Sequence, residues 1–294
     1  MADAAQVRDD PPRWMLLAFE VCARALGALK GRRYLIADAA SLVTYALQPP
    51  AKRRLCARLH SRAAGGLPAA EARRRARASY RSYARVIVDT IWIHGIPLAR
   101  MFEHGEVDGV EHLDDARDSR TGGILVLAHF GSWDIAASLS CAAGHSVATV
   151  MAPVGPPSIT ALLAWSREIK QLELFAPAAA ARGLVRALRR GGLVALLVDI
   201  PEGGPTTVVR YCNGPVRFST GPASLARLTE APIIPVSCWR VGERYIVNIQ
   251  PPFQPGRDDD DQAVMQRIAE ILERDVQRLP EQWYPFNPVY IDEP

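Results

Sequence analysis

Up to about residue 94 the apolar positions of the chain recur every three or four residues, whereas from residue 123 onward they gather into short unbroken runs separated by helical stretches. WMLLAFEVCARALGALK (14–30) and YLIADAASLVTYALQ (34–48) predict two helices with few charges, the second stopped by Pro49-Pro50. Pro68 to His94 predicts another helix, with Tyr80, Ala84, Ile87 and Ile91 on one stripe and Arg74, Arg77, Arg81 and Arg85 on an adjacent one. EHLDDARDSR (111–120) reads as an acidic connector. Beyond it, GILVLAH (123–129), HSVATVMA (145–152), GLVALLVDI (192–200), PIIPVSCWR (232–240) and RYIVNIQPPF (244–253) predict strands. WDIAASLSCAAG, SITALLAWSREIKQ, GLVRALRRG and GPASLARLTE predict the helices between them, and residues 258–283 a last helix with four aspartates just ahead of its first turn, where the helix dipole favours negative charge.

Strands alternating with helices give an α/β fold class: a central, largely parallel sheet flanked by helices, preceded by an N-terminal helical hairpin. Residues 1–100 are expected to form a basic helical region and residues 101–294 an α/β core, the two integrated into one domain. The length and a 49% hydrophobic content allow a large buried core.

Charge divides the chain in the same place. The net +4 conceals 18 Lys+Arg against 7 Asp+Glu in residues 1–100, so the remainder is net acidic. A basic front suits an anionic membrane surface or an acidic carrier protein; without a DNA-binding motif or interleaved aromatics, nucleic acid is not expected as a partner. The arginine ridge reads either as a solvated helix face or as a docking surface for phospholipid headgroups or a carrier. The first two helices read as a hairpin packed on the core, as an interfacial pair with Trp14 and Arg32-Arg33 as anchors, or as both. No run of about 20 clean apolar residues occurs, since Ile135 to Ser166 is broken by Gly144, Pro153, Gly155, Pro156 and Pro157. The start, MADAAQVRDDPPRW, lacks the order of a signal peptide, so a cytoplasmic protein, peripheral on the inner face of the membrane, is expected. Five widely spaced cysteines with no C-x-x-C pair predict neither disulfides nor a metal site.

The candidate chemistry lies in ILVLAHFGSWD. His129 ends a predicted strand, Phe130-Gly131-Ser132 can turn the chain, Ser132 is a candidate helix cap, and Asp134 falls in the first turn of the next helix. Such a corner can fold a carboxylate back onto the imidazole, fixing its tautomer and leaving the other nitrogen as a general base. No enzyme nucleophile is needed if the hydroxyl to be deprotonated belongs to the substrate. His60, His94 and His145 read as structural.

H-F-G-S-W-D resembles the H-x4-D block of glycerolipid-type acyltransferases, and its Trp133 and Gly131 resemble the branch containing the bacterial lipid A late acyltransferases and the mycobacterial phosphatidylinositol mannoside acyltransferases. The similarity continues through GLVALLVDI, through NGPVRFSTGPASLARLTEAPIIPVSCWR and into the C-terminal PEQWYPF. It implies transfer of a fatty acyl group from a thioester donor, acyl-CoA or acyl-carrier protein, to a hydroxyl of a lipid or glycolipid acceptor, with no further cofactor. His129 would be the base and Asp134 its orienting carboxylate. Backbone N–H groups around Gly221, with Arg189 or Arg217, would stabilise the thioester oxyanion. The stretch MAPVGPPSITALLAW, with Leu162, Leu163 and Trp165, would line an acyl tunnel.

One loop departs from the pattern. Asp199-Ile200-Pro201-Glu202-Gly203-Gly204 stands where branch members carry Asp-Gln or Asp-Arg and wider phospholipid acyltransferases carry E-G-T-R. The absent arginine puts a phosphate-bearing glycerol acceptor in doubt. Glu202 either hydrogen-bonds acceptor hydroxyls or caps the loop. A soluble or carrier-bound secondary-metabolite acceptor, a thioester hydrolase using the same His-Asp pair, and a non-catalytic lipid-binding scaffold remain as competing readings.

Overall fold

The structure is a computed structural model that describes residues 10–118, 121–201, 203–256 and 258–292. Four helices come first: α1 (Arg13–Leu29), α2 (Arg33–Leu47), α3 (Pro50–Ala63) and α4 (Ala69–His94). The sheet region follows as β1 (Gly105–Asp108), α5 (Glu111–Asp118), β2 (Gly123–Leu127), α6 (Trp133–Ala142), β3 (Val147–Val150), α7 (Pro157–Glu168), β4 (Leu172–Phe175), α8 (Ala180–Arg189) and β5 (Leu193–Leu197). It ends with β6 (Thr206–Tyr211), β7 (Gly214–Ser219), α9 (Gly221–Thr229), β8 (Ile233–Val241), β9 (Arg244–Ile249) and α10 (Asp261–Arg278).

Seven strands form one sheet in the order β1-β9-β8-β2-β5-β3-β4, and every neighbouring pair is parallel except β8 with β9. The expected α/β class with a largely parallel sheet and an N-terminal helical region is what the chain adopts. All five residues of β2 are buried, as a parallel strand covered on both faces requires. One face packs against α8, α9, α10 and the β6–β7 hairpin, the other against α5, α6, α7 and the end of α4. After β2 the chain crosses toward β3, and after β5 it crosses the other way toward β8. Opposite crossings from adjacent strands open a crevice beyond their carboxyl ends, where sites of such sheets form.

Several elements differ from the sequence expectation. EHLDDARDSR is not only a connector, because residues 111–118 form α5. The Pro49-Pro50 stop is also a start: Pro50 needs no intrahelical partner at a first helical position and opens α3. Of the expected stripe of α4 Tyr80 is buried, but Ile87 is exposed, and the buried face runs through Ala72, Ala76, Ser79, Val86 and Ile93. Its arginine ridge is not a free surface: Arg74 pairs with Glu71, and Arg81 and Arg85 both bond Asp38 of α2. Arg33 is no headgroup anchor either. It is 2% exposed, lies over Trp92 and donates to Asp89, which also accepts from Tyr34 and Tyr245. The aspartates before α10 include its cap, Asp260, whose side chain accepts from the Ala263 N–H.

Candidate active site

The register of the central sheet sets the geometry of the site. β2 and β5 pair with a constant offset of 70, Gly123 with Leu193 through Leu127 with Leu197. Val198 N–H continues the ladder to Leu127 O at 3.0 Å, so His129 and Asp199 come opposite each other just past the strand ends. The Asp199 carboxylate accepts the backbone N–H of His129 on both oxygens, at 3.0 and 2.9 Å, and Oδ1 lies 2.8 Å from the ring Nδ1. An ionised carboxylate only accepts, so the proton of a neutral ring sits on Nδ1 and Nε2 is the basic nitrogen. Asp199 is buried, and the His129 side chain is 26% exposed toward the crevice.

Asp134 does something else. It stands in the first turn of α6 as expected, but its carboxylate is gripped by Arg167 of α7, with Nε to Oδ1 at 2.7 Å and Nη2 to Oδ2 at 3.3 Å. The charge of Asp134 raises the affinity of this guanidinium for its proton against the cost of burial. The carboxylate on the imidazole Nδ1 is therefore Asp199, because strand register delivers it there, while the side chain of Asp134 joins α6 to α7.

The corner is built by glycine and by the C-terminus. Gly131 has φ +59°, and a Cβ there would stand 1.6 Å from Cys238 O, so only glycine lets the turn pass against β8. Its N–H donates to Gln282 O, and Ser132 N–H donates to Cys238 O. The buried Gln282 brackets Arg240 of β8 like a peptide group, accepting its N–H at 2.8 Å and donating to its carbonyl at 3.0 Å. The P-E-Q-W segment thus holds the histidine corner from behind. Ser132 occupies the cap position of α6 without a side-chain cap bond, and its buried Oγ has no hydrogen-bond partner among the described residues.

Of the other sequence candidates, Trp133 packs edge-on to His129 with centroids 5.1 Å apart. Gly221 opens α9 beside the end of β5: a Cβ built on it would lie 4.0 Å from Leu196, and Ser219 N–H donates to Val198 O. The Gly221 N–H itself is turned to Ser219 Oγ at 3.3 Å. Arg217 lies on the exposed face of β7. Arg189 is not at the site. It precedes β5 by a few residues, which puts it at the amino end of the sheet, about 16 Å of strand from the crevice. Trp165 is likewise elsewhere, 4.6 Å from the ring of His94 and 6.3 Å from that of Phe19. Glu202 lies outside the described residues.

Beneath Trp133 and Asp134 an apolar cavity of about 60 Å³ runs between α6 and the sheet, lined by Leu127, Ala136, Ala137, Leu197 and Val236 among others. The expected wall of Leu162, Leu163 and Trp165 does not border it. Among the described residues, no helix is long and apolar enough to cross a membrane.

His129, Asp199 and Gln282 all lie within the part of the chain that a known family matches. The family model described as bacterial lipid A biosynthesis acyltransferase matches residues 51–290. The chain is 26% identical over 217 residues to a phosphatidylinositol mannoside acyltransferase of Mycobacterium tuberculosis, covering 72% of this chain and 68% of that protein. It is also 26% identical over 219 residues to the enzyme of the same name from Mycolicibacterium smegmatis, covering 73% and 72%. The protein is an acyltransferase that belongs to the bacterial lipid A biosynthesis acyltransferase family.

Proposed function

We propose that the protein transfers a fatty acyl group from a thioester donor to a hydroxyl of a membrane glycolipid, with His129 as general base and Asp199 as the carboxylate that orients it. The observation that carries the reading is the 2.8 Å contact between His129 Nδ1 and Asp199 at the mouth of the crevice. Nε2 takes the proton of the acceptor hydroxyl as its oxygen attacks the thioester carbonyl. The tetrahedral intermediate collapses to the ester and expels the thiolate, which recovers the proton from the imidazolium. The buried carboxylate favours the transient imidazolium, and base assistance of this kind is worth roughly 10² to 10⁴ in rate. The cavity under Trp133 receives the start of the acyl chain. Glu202, three residues after Asp199 in the same loop, is the candidate for acceptor hydroxyls.

A membrane acceptor is supported by the surface of the N-terminal hairpin. Trp14, Leu17 and Val21 of α1, with Leu35, Leu42 and Leu47 of α2, are each more than half exposed. Apolar patches of this extent mark partner or membrane surfaces. The names of the mycobacterial relatives support a mannosylated phosphoinositide or a similar glycolipid as acceptor, and the thioester donor is acyl-CoA or an acyl-carrier protein.

The test is product analysis with acyl thioesters and membrane lipid extracts, for the wild type and for His129→Ala. Acylated glycolipid that vanishes in the variant is expected. Free fatty acid released at a rate no acceptor changes would instead make the protein a thioester hydrolase, and acylation confined to soluble acceptors would remove the membrane substrate.

A further inference from the structure

Where the carboxyl ends of α3 and α10 meet the β6–β7 turn, a cleft of about 300 Å³ opens, at the lower end of the range of roughly 300–1,000 Å³ usual for small-molecule sites. His60 of α3 and Arg75 of α4 line it together with Asn213, Gln277 and Pro280, and no aspartate or glutamate is among the lining residues. His129, Asp199, Trp133 and Asp134 do not border it. His60 is 1% exposed, yet neither of its ring nitrogens has a hydrogen-bond partner among the described residues. Buried polar groups are almost always bonded, so such a ring on a cleft wall marks a place where a ligand bonds. Burial, and after it the charge of Arg75, hold its pKa down to about 4, and at neutral pH the ring offers one N–H and one bare nitrogen.

The other walls say what kind of ligand. Arg75 Nε donates to Glu71 Oε1 at 3.2 Å, but Glu71 also accepts two bonds from Arg74, at 2.7 and 2.9 Å. One carboxylate thus serves two guanidinium groups, and positive charge is left over. The amide of Asn213 donates through Nδ2 to Ala63 O, and that of Gln277 through Nε2 to Glu273 Oε1. Both partners only accept, which settles the amide nitrogens and leaves Asn213 Oδ1 and Gln277 Oε1 as acceptors with no donor among the described residues. The cleft therefore presents guanidinium and imidazole N–H groups suited to an anion, and amide oxygens suited to hydroxyl groups.

We propose that this cleft binds a small oxyanion that carries hydroxyl groups, the phosphate monoester or the carboxylate of a short polyol, with its charge on Arg75 and His60 and its hydroxyls on Asn213 and Gln277. Charge-assisted bonds from Arg75 supply the strongest contact. The position of the cleft gives the ligand a target. Pro280 on its wall begins the turn whose Gln282 brackets Arg240 and accepts from Gly131, and Trp283 lies edge-on to His60 with centroids 5.5 Å apart. A ligand held between α3, α4 and α10 braces this bracket from behind, and by binding the folded chain alone it stabilises the fold. The site is independent of which acyl donor or acceptor the catalytic crevice takes.

The test is calorimetry on the full chain with glycerol 3-phosphate and with tartrate. A Kd of about 1 mM or tighter is expected for at least one of them, and the tighter of the two identifies the oxyanion as phosphate or carboxylate. Arg75→Met, at a part-exposed helix position, and His60→Leu each weaken that binding about tenfold or more, while His129→Ala binds as the wild type does. The ligand raises the Tm of the wild type and leaves that of Arg75→Met where it was. No binding of either compound to the wild type at about 10 mM, or equal binding to Arg75→Met, overturns the proposal. So does loss of binding in His129→Ala, which would place the ligand in the catalytic crevice. Inorganic phosphate or acetate binding as tightly as its hydroxylated counterpart overturns it too, because the amide oxygens then contribute nothing.

Discussion

Two carboxylates stand near His129, one at the end of β5 and one in the first turn of α6, and their surroundings separate their work. Asp199 is almost fully enclosed and accepts from the backbone and ring of the same histidine. Asp134 is about a fifth exposed and spends both oxygens on Arg167. Closeness in sequence favoured Asp134 as the partner of the ring, whereas closeness in space, set by strand register 70 residues away, gives the ring to Asp199. A carboxylate already paired with a guanidinium has little left with which to stabilise an imidazolium, so in the proposed mechanism the Asp199 corner serves the proton, while the Asp134 side chain ties α6 to α7.

The comparison is most sharply broken at Asp199. Asp199→Asn is expected to cut kcat by roughly 10² to 10⁴ with a modest change in KM, and His129→Ala/Asp199→Asn to be no slower than His129→Ala alone, since the pair acts as one unit. Steady-state kinetics on the three variants checks this. Gly131→Ala addresses the turn that brings the histidine to Asp199. Its Cβ cannot coexist with Cys238 O, and a stability loss of about 2–4 kcal/mol by urea denaturation is expected, with activity falling alongside. At the other corner, Asp134→Asn should slow turnover less than Asp199→Asn and should mostly lower stability. Combined with Arg167→Met it should cost less than the two single changes together, by about 1–2 kcal/mol. Should Asp134→Asn match Asp199→Asn in kcat while Arg167→Met is silent, Asp134 serves the ring after all and the comparison collapses.

The smallest effect contrasts His129 with a histidine that has no carboxylate. His60 is buried edge-on to Trp283, its ring nitrogens have no hydrogen-bond partner among the described residues, and burial pushes its pKa down to about 4. Between that value and the ordinary 6.5 the unfolded chain binds the proton and the folded chain does not. The stability contribution is therefore full above pH 6.5 and is lost as pH falls toward 4. Denaturation at pH 7 and pH 5 should show His60→Leu losing less on acidification than the wild type, by roughly 1–2 kcal/mol.

The β2–α6 corner was legible because it is local: an apolar run, a glycine turn and a helix start lie within a dozen residues. Asp199 as partner was not, although GILVLAH and GLVALLVD end in the same way and a parallel pairing sets their last residues side by side. Nothing local says which two runs are neighbours. The β6–β7 hairpin has a local signal in Asn213 followed by Gly214: its two-residue turn, Cys212-Asn213, has both residues at positive φ, the turn that tight hairpins favour. β1 and β4 are four residues each, too short for alternation to show. Arg189 looked suited to an oxyanion by residue type alone, and only the direction of β5 shows that it lies at the wrong end of the sheet.

The bracket made by Gln282 has a consequence for the order of events during synthesis. The turn after His129 is held by a carbonyl more than 150 positions later, and the same residue ties down the end of β8. A nascent chain that already contains His129, Asp199 and the whole central sheet still lacks the part that secures its corner. The corner can therefore be secured only after residue 282 has been made, later than the strands that carry His129 and Asp199.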